Sequence, residues 1–160
     1  MESAGRLVEG VYHTWSTTDD LLEGTRKMVI REDDLWIVTL PKAGTTWTQE
    51  VISLLLNDCN AELADVKPIS QRFLFVDFEK NSIPPYKIAA ELASPRLMKT
   101  HFQSHQMPEE LLTKRSKIVY VGRNPKDNAV SLFHFHRAVD DLQQFEDWNE
   151  FYDAFVAGHG

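Results

Sequence analysis

The stretch from Leu35 to Leu56 constrains this chain more than any other. Leu35-Trp36-Ile37-Val38-Thr39-Leu40 is bulky, rich in β-branched residues and free of helix-start signals, so it predicts a buried strand. The block ending at Leu56 predicts a helix, because Trp47, Val51, Leu54 and Leu55 recur at i, i+4, i+7 and i+8 and so share one helical face. Pro41-Lys42-Ala43-Gly44-Thr45-Thr46 lies between them and must turn tightly. Gly44 permits the turn, the two threonines offer hydroxyls and amides, and a helix start presents unpaired N–H groups with a positive dipole end. Such a loop suits an anion.

The place of the lysine narrows the choice of anion. A nucleotide-binding loop of the Gly-Lys-Ser/Thr kind starts its helix with the lysine, which reaches the outer phosphates. Here Lys42 precedes Gly44, and threonines stand where that lysine and its partner would be. A plain nucleotide triphosphatase is disfavoured. Pro-Lys-x-Gly-Thr-Thr-Trp, residues 41–47, resembles the 5′-phosphosulfate loop of the cytosolic sulfotransferases, which draw a sulfuryl group from 3′-phosphoadenosine 5′-phosphosulfate (PAPS). The resemblance implies that Lys42, Ala43, Gly44, Thr45 and Thr46 hold the phosphosulfate end of the donor and that Trp47 stacks on its adenine.

Two further segments extend the resemblance. Leu97 and Met98 read as strand, and Lys99-Thr100-His101 then falls at its carboxyl end, where parallel sheets bind their ligands. This trio resembles the Lys-Thr-His motif of the same family, which maps the catalytic base onto His101 and a supporting cation onto Lys99. Lys117–Val121 reads as another strand, followed by Asn124 as a helix N-cap, Pro125 at the first helical position and Asp127 at N3. Ala129, Val130 and Phe133 are the expected buried stripe of that helix. Arg123-Asn124-x-Lys126-Asp127 with Val130-Ser131 resembles the family's 3′-phosphate motif, which assigns Arg123 and Ser131 to that phosphate. An arginine fork suits the task by making paired, charge-assisted bonds.

The remaining segments say less. Residues 61–95 read as irregular, with Phe73, Phe75 and Phe78 among polar residues and a break at Pro84-Pro85. The loop aromatics serve packing or substrate, and by resemblance Phe75 and Phe78 join His101 at an apolar acceptor pocket. Val11, Tyr12, His13 and Trp15 are open between packing and lining a pocket. Arg31-Glu32-Asp33-Asp34 reads as a polar turn, Asn57–Asn60 as a helix end, and Trp148, Phe151, Tyr152 and Phe155 as a helix face capped by Asp147 and stopped by Gly158. No metal is expected. His101 and His105 could chelate only on a continuous helix, which Pro108 and the intervening residues oppose, and His134 and His136 point to different faces.

With 160 residues, 42% of them hydrophobic, the chain is expected to form one domain over 1–160. Its α/β alternation predicts a P-loop-like parallel sheet flanked by helices, the sulfotransferase fold with its carboxyl-terminal part missing. A net charge of −7 argues against nucleic acid or an acidic membrane as partner, while allowing a local basic pocket. The single cysteine, Cys59, permits no internal disulfide, and no apolar run is long enough to span a bilayer, so a cytoplasmic location is expected. The resemblance implies transfer of a sulfuryl group from PAPS to a hydroxyl or amine of a small, largely apolar acceptor. The family's later Arg-Lys-Gly and dimer motifs do not occur, so the chain reads as an amino-terminal half, be it a partial sequence, a splice form or a short protein. Two alternatives stay open: a truncated homologue that binds PAPS without turnover, and a P-loop nucleotide kinase.

Overall fold

The structure, a computed structural model, describes residues 5–14, 16–140 and 142–158. Trp15 lies outside the described residues. The chain divides into two compact units, Thr18–Gly122 and a second made of Met1–Thr17 with Arg123–Gly160.

The Thr18–Gly122 unit is built on a four-stranded parallel sheet. Its strands are β3 (Leu35–Thr39), β4 (Leu74–Phe75), β5 (Leu97–Thr100) and β6 (Lys117–Val121), in the order β4-β5-β3-β6. Leu35 pairs with Leu97 and Val38 with Thr100, so β3 and β5 finish together. Helices α1 (Asp19–Arg26), α2 (Thr45–Leu56), α3 (Ala61–Ala64), α4 (Ile69–Arg72) and α5 (Pro85–Glu91) complete the unit. Ile37, Ile52 and Phe73 form a buried cluster with Leu35, Ile69, Leu97 and Val119 packed on it. The parallel α/β architecture expected from the sequence is thus present.

Three expectations need correction in this unit. Residues 61–95 are not irregular: they carry α3, α4, β4 and α5. Four-residue helices and a two-residue strand are too short for hydrophobic periodicity to register. Helix α2 does not bury the Trp47–Val51–Leu55 face, whose members are 77%, 38% and 64% exposed. It buries Thr45, Gln49, Ile52 and Ser53 instead, because the face turned to the sheet carries the polar groups of the site. Finally, the Arg31–Asp34 turn is more than a polar connector: Asp34 is fully buried.

The second unit pairs β1 (Gly5–Val8) with β2 (Val11–Thr14) as an antiparallel hairpin, and adds α6 (Pro125–Ala138) and α7 (Trp148–Val156). His13 is buried there. Asn124 caps α6 by accepting the Lys126 amide, one residue short of the N3 contact that the sequence suggested. Asp147 caps α7 through the Asn149 and Glu150 amides, and Gly158 follows with a positive φ of 81°. Ala129, Leu132, Phe133, Phe145 and Phe151 make the core. Val130 is half exposed, and Leu132 takes the place the sequence reading gave it in the buried stripe.

Candidate active site

Strands β3, β4 and β5 run parallel, so their carboxyl ends lie along one edge of the sheet, the edge where parallel α/β sheets present their ligand sites. Thr39 closes β3, and the chain then passes through Lys42, whose φ is 64°, to Gly44 at φ 119°. A residue with a side chain rarely adopts the second value. Space is not the constraint at Gly44, since a Cβ there would meet only Val121 at 3.9 Å. The backbone angle is.

Gly44 is the N-cap of α2 and supplies no side-chain cap, and the first turn holds no acidic residue. The helical ladder begins with the Thr48 amide on the Gly44 carbonyl at 3.0 Å. The amides of Thr45, Thr46 and Trp47 therefore face outward at a positive dipole end, the arrangement that receives a phosphate or sulfate. Thr46 and Trp47 are exposed, whereas Ala43 and Thr45 are buried. The Thr45 hydroxyl is turned inward to Thr39 Oγ1 at 2.6 Å, so Thr45 offers a ligand its amide while its hydroxyl anchors the loop.

The same Thr39 reaches the histidine. His101 Nδ1 lies 2.8 Å from the Thr39 carbonyl oxygen and 3.1 Å from Thr39 Oγ1. A carbonyl only accepts, so Nδ1 carries the proton and donates, which leaves Nε2 as the basic nitrogen. Burial holds the His101 pKa below its ordinary 6.5; the Thr39 carbonyl opposes this, and the Lys99 charge adds to it. The imidazole is thus neutral around pH 7 and ready to accept a proton.

Lys99 Nζ donates to Gln49 Oε1 at 3.2 Å and sits 4.7 Å over the Phe75 ring. Its pKa is lowered by burial, an effect that the charge of Asp77 opposes. Phe75 stands edge-on to His101 at 5.2 Å and to Phe78 at 4.9 Å. Beside His101 opens an apolar cavity of about 600 Å³, whose walls include Leu40, Phe102, Met107, Leu111 and Tyr120. Phe75 and Phe78 do not line it.

Lys42, the 43–47 loop, Phe75, Phe78, Lys99 and His101 thus belong to one unit, while Arg123 and Ser131 belong to the other. Arg123 is exposed and precedes the α6 cap; Ser131 is half buried, nearly two turns into the helix. His105 lies in a short 3-10 turn, Ser104–Gln106, and among the described residues no group of three or more His, Cys, Asp or Glu is placed to hold a metal ion. Sequence reasoning missed Thr39, Gln49 and Asp77. The one visible signal was a lone acid ending the apolar run Phe73–Val76.

Known proteins share this fold. The sulfotransferase domain family matches residues 32–160. Sulfotransferase 1A1 of the dog, Canis lupus familiaris, is 36% identical over 140 residues, which are 87% of this chain and 48% of that protein. The Bos taurus Sulfotransferase 1A1 is 35% identical over 127 residues, 79% of this chain and 43% of its own length. The chain spans about half the length of these relatives. Mouse sulfotransferase SULT7A1 complexed with PAP superposes with a TM-score of 0.76 at 27% identity, covering 96% of this chain and 51% of that one. Retinol dehydratase in complex with androsterone and inactive cofactor PAP gives 0.83 at 25% identity, covering 95% and 53%. By the match over residues 32–160, the chain belongs to the sulfotransferase family.

Proposed function

We propose that the chain carries the sulfuryl-transfer machinery of a PAPS-dependent sulfotransferase acting on a hydroxyl or amine of a small, largely apolar acceptor. The observation that carries this reading is the hydrogen-bonded line from Thr45 through Thr39 to His101. It ties an anion-receiving loop to a neutral imidazole whose Nε2 is available. PAP in the complexes of SULT7A1 and retinol dehydratase supports the donor, and androsterone in the latter supports an apolar acceptor.

In this reading the donor brings the sulfuryl group and its nucleotide leaving group. The amides of Thr45, Thr46 and Trp47 hold its 5′-phosphate, the exposed Trp47 ring offers a stacking face to adenine, and Arg123 and Ser131 receive the 3′-phosphate. His101 Nε2 takes the acceptor proton, while Lys42 and Lys99 counter the negative charge that grows at the reacting centre. Positioning and electrostatics of this kind carry most of the catalysis in the related phosphoryl transfers. Phe75, which stands against His101 and Lys99, and Phe78, which packs on Phe75, are assigned to the acceptor side. Among the described residues no helix is long and apolar enough to cross a membrane.

The direct test supplies the protein with radiolabelled PAPS and a panel of phenols, steroids and arylamines. Labelled product that depends on acceptor supports the proposal. PAPS binding without product marks the non-catalytic reading, and ATP turnover with Mg²⁺ marks a kinase. A separate expectation concerns Arg123→Ala. A charge-assisted bond to phosphate is worth about 1.5–3 kcal/mol, so PAP affinity should fall about tenfold or more. Calorimetry with PAP and with adenosine 5′-phosphate checks it, and equal losses for both ligands would remove the 3′-phosphate assignment.

A further inference from the structure

Asp77, two residues beyond β4, is buried where a carboxylate is costly to keep. Its two oxygens are both used. The Thr100 hydroxyl donates to Oδ1 at 2.5 Å, and the His101 amide donates to Oδ2 at 2.7 Å. Thr100 Oγ1 in turn accepts from the Phe102 amide at 2.9 Å, so one carboxyl organises three consecutive residues at the end of β5. Val76 adds a backbone bond to the Lys99 carbonyl at 3.1 Å. An amide or hydroxyl side chain could cap a strand end without bringing a charge into the interior. The charge has a counterpart in Lys99, the residue preceding this clamp.

We propose that Asp77 is a positioning residue for the transfer reaction: its carboxylate holds the Thr100 hydroxyl and the His101 amide in place at the end of β5, and its charge offsets that of Lys99. This rests on the sulfotransfer reading for its chemical consequence, but its electrostatic core does not. Burial raises the Asp77 carboxyl to about 7, against the Thr100 hydroxyl, the His101 amide and the Lys99 charge, which pull it down. Lys99 is lowered by burial and raised by Asp77, and His101 is lowered partly by Lys99. Asp77, Lys99 and His101 are therefore one coupled set. Above the Asp77 midpoint the carboxylate supports the ammonium, and the pair is lost at the alkaline end where Lys99 deprotonates.

The test follows the Lys99 13Cε resonance of the 160-residue protein with pH, assigned by its loss in Lys99→Arg. In Asp77→Asn the side chain keeps its shape and loses its charge, so the Lys99 midpoint is expected to move to lower pH, and with it the alkaline limb of PAPS turnover. Thr100→Val removes the hydroxyl and keeps the charge, so its Lys99 midpoint should stay above that of Asp77→Asn. Should Asp77→Asn fail to fold, the wild-type protein still decides: the His101 amide proton is expected to shift in step with the ionisation of the Asp77 carboxyl, followed by its own 13Cγ resonance. An unchanged Lys99 midpoint in a folded Asp77→Asn protein, or a wild-type His101 amide that does not shift as the Asp77 carboxyl titrates, would overturn the proposal. Absence of PAPS turnover in the wild type would strike the sulfotransfer reading and leave the Lys99 result standing.

Discussion

His101→Ala is expected to lower sulfuryl transfer by about 10²- to 10⁴-fold, the usual worth of a positioned general base, while PAP affinity stays close to wild type. The separation of the two effects comes from the geometry. His101 is anchored by Nδ1 to Thr39, and in the proposed reading its Nε2 serves the acceptor, whereas the donor is assigned to the loop amides and Arg123. The pH profile supplies a second readout. Because burial holds His101 below 6.5, its neutral, proton-accepting form prevails from that value upward. Wild-type turnover should rise with pH through an acid limb to which His101 contributes below 6.5, and fall at an alkaline midpoint below 10.5, where Lys99 loses its proton. The part of the acid limb below 6.5 that belongs to His101 should vanish in His101→Ala. Measuring kcat/KM across this range together with PAP binding checks both points, and a variant with full activity and an intact acid limb would strip His101 of its role.

The parts of the site that the sequence revealed are those written in contiguous residues. Strand β3, the Gly44 turn and α2 were legible because a buried parallel strand is a solid apolar run and a helix repeats every 3.6 residues. Lys99 and His101 were legible because Lys99-Thr100-His101, at the end of a strand, resembles the Lys-Thr-His motif of the family. What stayed hidden joins residues far apart in the chain. Asp77 meets Thr100 across 23 positions and Thr39 meets His101 across 62, and neither pairing has a periodicity to betray it. Gln49 was hidden for another reason. The largest apolar arc of α2 drew attention to Trp47, Val51 and Leu55, yet the helix spends its sheet-facing side on a polar contact to Lys99. Hydrophobic pattern reports packing, and here the site has claimed the packed face.

Arg96→Met is expected to cost about 3–5 kcal/mol of stability, the penalty for stranding one partner of a buried ion pair. Arg96 and Asp34 are 2% and 0% exposed, so no solvent screens the loss. The guanidinium donates through Nε to Asp34 Oδ1 at 2.7 Å and through one terminal nitrogen to Oδ2 at 2.5 Å. It also donates to the carbonyls of Ala89 and Val29, and Asp34 Oδ2 accepts the Arg31 amide at 2.8 Å. The pair stands just before β5 and β3, where Leu35 donates to the Arg96 carbonyl at 2.9 Å and Lys117 to the Asp34 carbonyl at 2.9 Å. It therefore pins the starting register of three strands. That register decides the site at their other end, since Thr39 can hold His101 only if β3 and β5 finish level. At about 2–4 °C per kcal/mol for a chain of this size, the melting temperature should fall by about 6–20 °C. The double variant Asp34→Leu/Arg96→Met removes both charges, and apolar replacements of a buried pair are often neutral or better, so it should recover most of the loss. Denaturant unfolding of the three proteins measures this. A single variant within about 0.5 kcal/mol of wild type, the range of an ordinary surface change, would show that the pair does not hold the strands together.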